Sequence, residues 1–384
     1  VSAKDIPEIE QAFVSSELFE KVSVTLEEAP GGYLVVATVV DKHSWIVAPT
    51  VFSLPGRKSF GLGFAENNLF GLNQKLLLYG QYGDRESLFF GTYLVPQVRG
   101  TPLTLRGDVY LFERVAPEYA NPPGDPTDDT VARESTTTYM GGGFLVGWRF
   151  AWWCNFDLRI RGAKIRFSEA FDPAAPDVAL PLPEKDGWDV SSQARLTLDG
   201  RRHRFGVSWG GYFQLIGDTT IPGLDDYDYQ LILARAYYAW RLFKAHQFEL
   251  RASGGLGWRL PLHEELTLGS VVDLRGYESD RFRGDTRGLF RVEYSVPIAK
   301  WRFFAFRALG FWDTGYMAFR NPRESDRLYL PNQREGVGYW RNDVGAGIRI
   351  YVKAIVLPLL GLDVGYGIEA RSPEVYFQLG LTDF

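Results

Sequence analysis

The sequence predicts an all-β protein: a sixteen-stranded antiparallel transmembrane β-barrel over residues 45–384, behind a small α/β module over residues 1–44. Three observations predict it. From Trp45 onward the chain breaks into segments of about ten residues or more in which apolar and polar side chains alternate. No stretch approaches the ~18 consecutive apolar residues of a membrane-crossing helix. The connections alternate between short turns and long polar loops, the asymmetry of a barrel that crosses an outer membrane.

Residues 1–44 have a different pattern. Ile6, Ile9 and Phe13, set among acidic residues, predict a short helix, with Pro7 tolerated in its first turn. Lys21 to Glu27 reads as a strand because Val22, Val24 and Leu26 alternate with Ser23, Thr25 and Glu27. Pro30-Gly31-Gly32 makes a turn, and Tyr33 to Val40, rich in β-branched residues, makes a second strand. The module is either the second half of a larger α/β domain or a small cap or plug.

In the barrel region Phe205, Val207, Trp209, Gly211, Phe213 and Leu215 share one face, opposite Gly206, Ser208, Gly210, Tyr212 and Gln214. Gln247 to Trp258 alternates in the same way. Arg195, Arg251 and Arg291 sit mid-strand on polar faces, which fits a wet lumen better than a soluble sandwich. Segments begin near Trp45, Lys58, Asn73, Glu86, Pro102, Ser135, Ala151, Asp189, His203, Asp226, Gln247, Arg287, Arg302, Trp340, Leu359 and Glu374. Connections after even-numbered segments are short, as at Asn67 to Leu72 and Pro297 to Trp301. Those after odd-numbered segments include Ala116 to Glu134, Ser168 to Trp188, Leu260 to Thr286 and Thr314 to Tyr339. The N-terminal module falls on the short-turn side.

The closing strands look weak. The first, Trp45 to Ser53, is short and interrupted by Pro49, which has no N–H to donate. The last alternates Val375, Phe377, Leu379 and Leu381, is interrupted by Gly380, and ends in Phe384. A lateral seam marked by Pro49, Gly380 and Phe384 is expected.

Composition excludes several classes. A net charge of −5 argues against a nucleic-acid surface. With one cysteine, Cys154, no internal disulfide is possible. His43, His203, His246 and His263 show no metal-ligand spacing, and no nucleophile elbow, Walker loop or Ser–His pairing is present. No enzyme, cofactor or metal is expected. Asp225, Asp226 and Asp228 mark either a surface cation site or a solvated loop.

One loop stands apart. It carries Leu274-Arg275-Gly276-Tyr277; the strand after it places Glu293 on the polar face with Arg291 and Ser295, and the next ends in Phe311-Trp312-Asp313-Thr314-Gly315. An arginine at a loop tip with two carboxylates on neighbouring strands suggests a loop folded into the lumen. Arginine holds a carboxylate by two parallel hydrogen bonds, and Arg291 or Arg307 would balance the second acid. The pairs either lock the loop for a purpose or only stabilise the barrel. LRGY, Gly284, Glu293 and FWDTG together resemble the barrel signature of the outer-membrane assembly-factor superfamily, the BamA-, TamA- and FhaC-like proteins. In these a sixteen-stranded barrel follows periplasmic POTRA domains.

The resemblance implies that Arg275, Gly276, Tyr277, Glu293, Asp313 and Gly315 lock the loop in the lumen, and that residues 1–44 are the C-terminal part of a POTRA domain in the periplasm. It implies an assembly, insertion or translocation factor for unfolded outer-membrane or secreted polypeptides, working through a weak lateral seam in the outer-membrane bilayer, with periplasmic or lipoprotein accessory subunits as partners. The alternatives are a dedicated two-partner-secretion export pore and a passive channel or anchor.

Overall fold

A computed structural model describes residues 6, 9, 10, 13, 18–41, 43–203, 207–329, 337–352 and 358–380 of the 384. Ile6, Ile9, Glu10 and Phe13 are helical. β1 (Phe19–Ala29) and β2 (Gly32–Asp41) form a two-stranded antiparallel sheet of their own.

The barrel follows. Its elements are β3 (Trp45–Leu54), β4 (Arg57–Leu69), β5 (Gln74–Gly83), β6 (Glu86–Val95), β7 (Leu103–Tyr119), β8 (Val131–Ala151), β9 (Cys154–Asp172) and its short extension β10 (Ala175–Ala179). Then come β11 (Gly187–Asp199), the two-residue β12 (Arg202–His203), β13 (Ser208–Thr220), β14 (Gln230–Leu242) and β15 (His246–Trp258). After the short loop strands β16 (Leu266–Leu268) and β17 (Phe282–Gly284) come β18 (Thr286–Trp301), β19 (Phe304–Ala318), β20 (Gly338–Val352), β21 (Pro358–Gly367) and β22 (Ser372–Leu379). Leaving aside the short β10, β12, β16 and β17, sixteen antiparallel staves form one closed sheet, with β22 paired to β3.

Alternation explains the closure. Phe60 and Leu62, Phe144 and Val146, and Leu158 and Ile160 lie on the outer face and are exposed. Arg275, Asp313, Asp343 and Asp363 are buried inside. Such a wall is stable only with lipid outside and polar partners within. Among the described residues no helix is long and apolar enough to cross a membrane.

Two expectations on backbone need correction. The turn expected over Pro297 to Trp301 is strand: β18 runs through it with a bulge between Pro297 and Ala299, and the turn is at 302–303. A bulge absorbs the one ladder bond that proline cannot make. Pro49 likewise does not interrupt β3; it lies in register with Leu62 of β4.

Among the described residues, which stop at Gly380, the pairing of β22 with β3 is short. Phe377, Gln378 and Leu379 face Ser53, Phe52 and Val51, three pairs against eight between β21 and β22. Gly380, at φ 119°, donates its N–H to Leu359 on the β21 side at 2.8 Å and still lies beside β3, where an added Cβ would stand 2.6 Å from Thr50 and 3.2 Å from the Pro49 carbonyl oxygen. Phe384 lies outside the described residues.

The interior is filled by the loop at 259–285. Its Leu268, Leu274, Tyr277 and Phe282 pack with Leu289, Met317 and Tyr339 of the wall. Leu262 packs with Ala163, Ile165 and Phe167, and Leu260 and Leu266 with Tyr229 and Leu231. Each such side chain contributes roughly 1.5–3 kcal/mol on burial, so this loop is core rather than solvated surface.

Candidate functional site: the loop tip in the barrel lumen

Arg275 is 1% exposed. Its Nε and Nη2 donate to Asp313 at 2.8 and 3.0 Å, and its Nη1 donates to Glu293 at 2.8 Å. The guanidinium carbon stands 3.4 Å from the centre of the Phe311 ring, so a cation–π contact from the same F-x-D segment supports the fork. Arg291 shares Asp313 at 3.2 Å and donates to the Val272 carbonyl at 2.7 Å, tying the loop to β18 a second time. Arg307 does not belong here. It bonds the Ala245 and Ser295 carbonyls and the Ser295 hydroxyl near the short turns, because Arg307 lies six residues before Asp313 on β19.

The backbone of the tip lies directly on β21. A Cβ on Gly365 would stand 2.0 Å from the Arg275 carbonyl oxygen, and one on Gly367 2.5 Å from the Gly276 oxygen. A Cβ on Gly276 would meet the Gly367 nitrogen at 2.5 Å. Gly276 therefore serves close approach rather than a left-handed turn, and it is not among the positive-φ glycines. Gly315 leaves room for Leu274, whose Cδ1 would come within 2.9 Å of an added Cβ. Tyr277 is buried, donates its hydroxyl proton to Glu369 at 2.5 Å with the Asn342 carbonyl 3.2 Å away, and accepts at its own carbonyl from the Tyr376 hydroxyl of β22. Burial works to raise the Glu369 carboxyl, but the hydrogen bonds from Tyr277 and Asn342 hold it below the usual range.

Several members of this site are not apparent from the local sequence. Asp363 lies 3.8 Å from Arg275 and pairs with both Nη atoms of Arg349 at 2.6 Å. Asp343 is registered opposite Asp313, is fully buried, and neither of its oxygens has a hydrogen-bond partner among the described residues. Inward parity on β20 and β21 was the available signal.

The base of the loop has its own anchor. Arg161 of β9 lies 2.7 Å from Glu264 and is also bonded to Tyr229, while His263 Nε2 lies 3.1 Å from Asp189. Asp189, His263 and Glu264 bring possible ligand atoms within 4.8 Å of one another. Arg161, 2.7 Å from Glu264 and 3.4 Å from Asp189, supplies positive charge to the cluster. Asp189 and His263 are 74 residues apart, beyond any local motif. Asp225 and Asp226 accept from backbone amides of 188, 190, 227 and 228, as loop-capping groups do.

At the long-loop mouth Glu265 is buried, with Arg323 at 3.1 Å and Arg283 at 3.6 Å. Burial pushes its carboxyl up to about 8, with Arg323 opposing. The folded chain keeps this proton where the unfolded chain releases it. Stability from this corner is therefore full below the ordinary carboxyl range and lost as pH rises toward about 8. The wild-type unfolding temperature is expected to fall across that window more steeply than that of Glu265→Gln; equal slopes would count against the assignment.

The profile of the Omp85 superfamily domain matches residues 68–381, well over half of the chain. The chain belongs to the Omp85 superfamily. The Omp85 match includes the loop, Glu293 and Asp313, and leaves residues 1–67 outside it. Omp85 barrels are outer-membrane proteins. Among solved structures, BamA from Haemophilus ducreyi lacking POTRA domains 1-3 is similar with a TM-score of 0.66 at 12% identity, over 99% of this chain and 79% of that one. CdiB from Escherichia coli is similar with a TM-score of 0.70 at 13% identity, over 99% and 71%. CdiB from Acinetobacter baumannii gives 0.61 at 15%, over 98% and 68%. At these identities the likeness is one of fold. No curated protein matches the chain by sequence.

Proposed function

We propose that this Omp85 barrel assembles or translocates unfolded polypeptides at the outer membrane, taking them as extended strands at the seam between β22 and β3. The observation that carries this reading is the position of the loop tip beside that seam. On one side Tyr277 is bonded to Tyr376 of β22; on the other, Asp280 pairs with Arg114 and lies 3.9 Å from Arg57 at the start of β4, the hairpin partner of β3. The loop thus braces, from the lumen, a junction of three residue pairs among the described residues. An opened seam presents unpaired N–H and C=O groups to an incoming strand. Residues 1–44 are read as the C-terminal part of a periplasmic POTRA domain, with Tyr33, Leu34 and Val40 exposed on β2 as a surface for extended substrate. Accessory subunits would dock on the same side.

Val51 and Leu379 face each other across the seam, so Val51→Cys with Leu379→Cys tests the reading. In proteoliposomes the wild type is expected to speed the folding of an unfolded outer-membrane barrel, scored by protease protection. Oxidation of the cysteine pair is expected to abolish that acceleration, and reductant to restore it. An unchanged rate with the seam locked would refute lateral templating.

A further inference from the structure

The outer wall holds a groove of ≈ 660 Å³ on the far side of the sheet from the loop. Strand register defines it. Phe213 faces Ala236, Ala236 faces Ala252, and Ala252 faces Phe290, giving one outward row across β13, β14, β15 and β18. The next outward row toward the short turns contains Tyr238 opposite Leu250. Ala236 and Ala252 are the floor, Phe213 and Phe290 the side walls, and the Trp152-Trp153 turn flanks the short-turn end. The lining is almost entirely apolar.

Beyond that end the rim is cationic. Arg202, Arg241 and Lys244 are exposed. Among the described residues no carboxylate pairs with any of them. Arg241 Nε donates to the Lys244 carbonyl at 2.5 Å, and its guanidinium carbon stands 5.4 Å from the centre of the Trp209 ring. Arg241 has lumen parity on β14 but lies one pair before the turn, and its guanidinium reaches the Trp209 ring at the strand end, so it sits at the rim rather than on the outer wall. Arg202 is registered opposite Trp209. Five residues of β14 separate Ala236 from Arg241, ~17 Å along the strand. That is close to the ~15 Å half-thickness of a bilayer core.

A purely apolar occupant would leave three cations unmet, and a soluble anion would leave the groove empty. A lipid with an anionic headgroup satisfies both. We propose that the groove binds one anionic phospholipid from the short-turn leaflet, its phosphate on Arg202, Arg241 and Lys244 and one acyl chain lying over Ala236 and Ala252. The site is separate from the loop and the seam, so it stands whether or not the assembly reading does.

The test is native mass spectrometry of the purified full chain titrated with dioleoylphosphatidylglycerol or dioleoylphosphatidylcholine. The wild type is expected to retain a single phosphatidylglycerol in preference to phosphatidylcholine. Arg202→Glu with Lys244→Glu is expected to weaken phosphatidylglycerol about 25-fold or more, about fivefold per cation removed, and to leave phosphatidylcholine unchanged. Ala236→Phe with Ala252→Phe is expected to weaken both lipids. Heat-modifiable mobility in electrophoresis checks that each variant is folded, and the rim pair alone decides the matter should the groove pair fail that check. Equal retention of the two lipids by the wild type, or undiminished phosphatidylglycerol binding by the folded rim variant, would overturn the proposal.

Discussion

In Arg275→Ala the loop tip is expected to leave the lumen, turning a quiet barrel into one with large, fluctuating conductance in planar bilayers. Among the described residues Arg275 is the only one that joins Glu293, Asp313 and the Phe311 ring in one contact. Removing one partner from a buried ion pair typically costs ~3–5 kcal/mol. Asp313 keeps Arg291 and Asp363 keeps Arg349, so the cost should lie toward the lower end. Arg275→Lys is expected to recover only part of the wild-type behaviour, because an ammonium cannot fork onto Asp313 while reaching Glu293. A conductance trace indistinguishable from wild type would mean that the hydrophobic contacts of Leu268, Leu274 and Phe282 hold the loop without the arginine.

Gly365→Ala is expected to give nearly the same phenotype with Arg275 intact. Its methyl group would stand 2.0 Å from the Arg275 carbonyl and 2.8 Å from the Gly276 nitrogen, and backbone cannot yield as a flexible side chain does. The tip must retreat, and a retreat of about 1 Å lengthens every bond of the fork. Destabilisation is expected in the ~1–3 kcal/mol range of overpacked sites, with conductance raised as in Arg275→Ala. Because both changes act on one contact, the double variant should add little to Arg275→Ala alone. Additive effects would place Gly365 in a separate role.

The barrel is legible in the sequence because lipid and lumen impose a period of two on every stave. Phe213 and Gln214, or Glu293 and Tyr294, can point only to opposite sides. The boundaries differ where strands extend beyond the membrane: β8 begins at Val131 rather than near Ser135, since pairing with β7 as far as Tyr119 extends it. Arg275, Glu293 and Asp313 could be grouped because one loop and the two staves after it are consecutive in the chain. Asp343, Asp363 and Gly365 could not, because β20 and β21 reach the tip only through the curvature of the closed sheet. Arg307 was misplaced because parity fixes the face of a strand and not the height along it.

Asp343, buried opposite Asp313 and unpaired, has a consequence for the empty lumen. With the loop seated, Arg275 offsets part of the negative charge of Glu293, Asp313 and Asp363. With the loop withdrawn and the wall hydrated, Asp343 joins these three, and among the described residues the four face only Arg291 and Arg349 as direct ion-pair partners in this part of the wall. The vacated passage would then be permselective, admitting small cations more readily than anions and drawing in lysine- or arginine-bearing stretches of chain ahead of acidic ones.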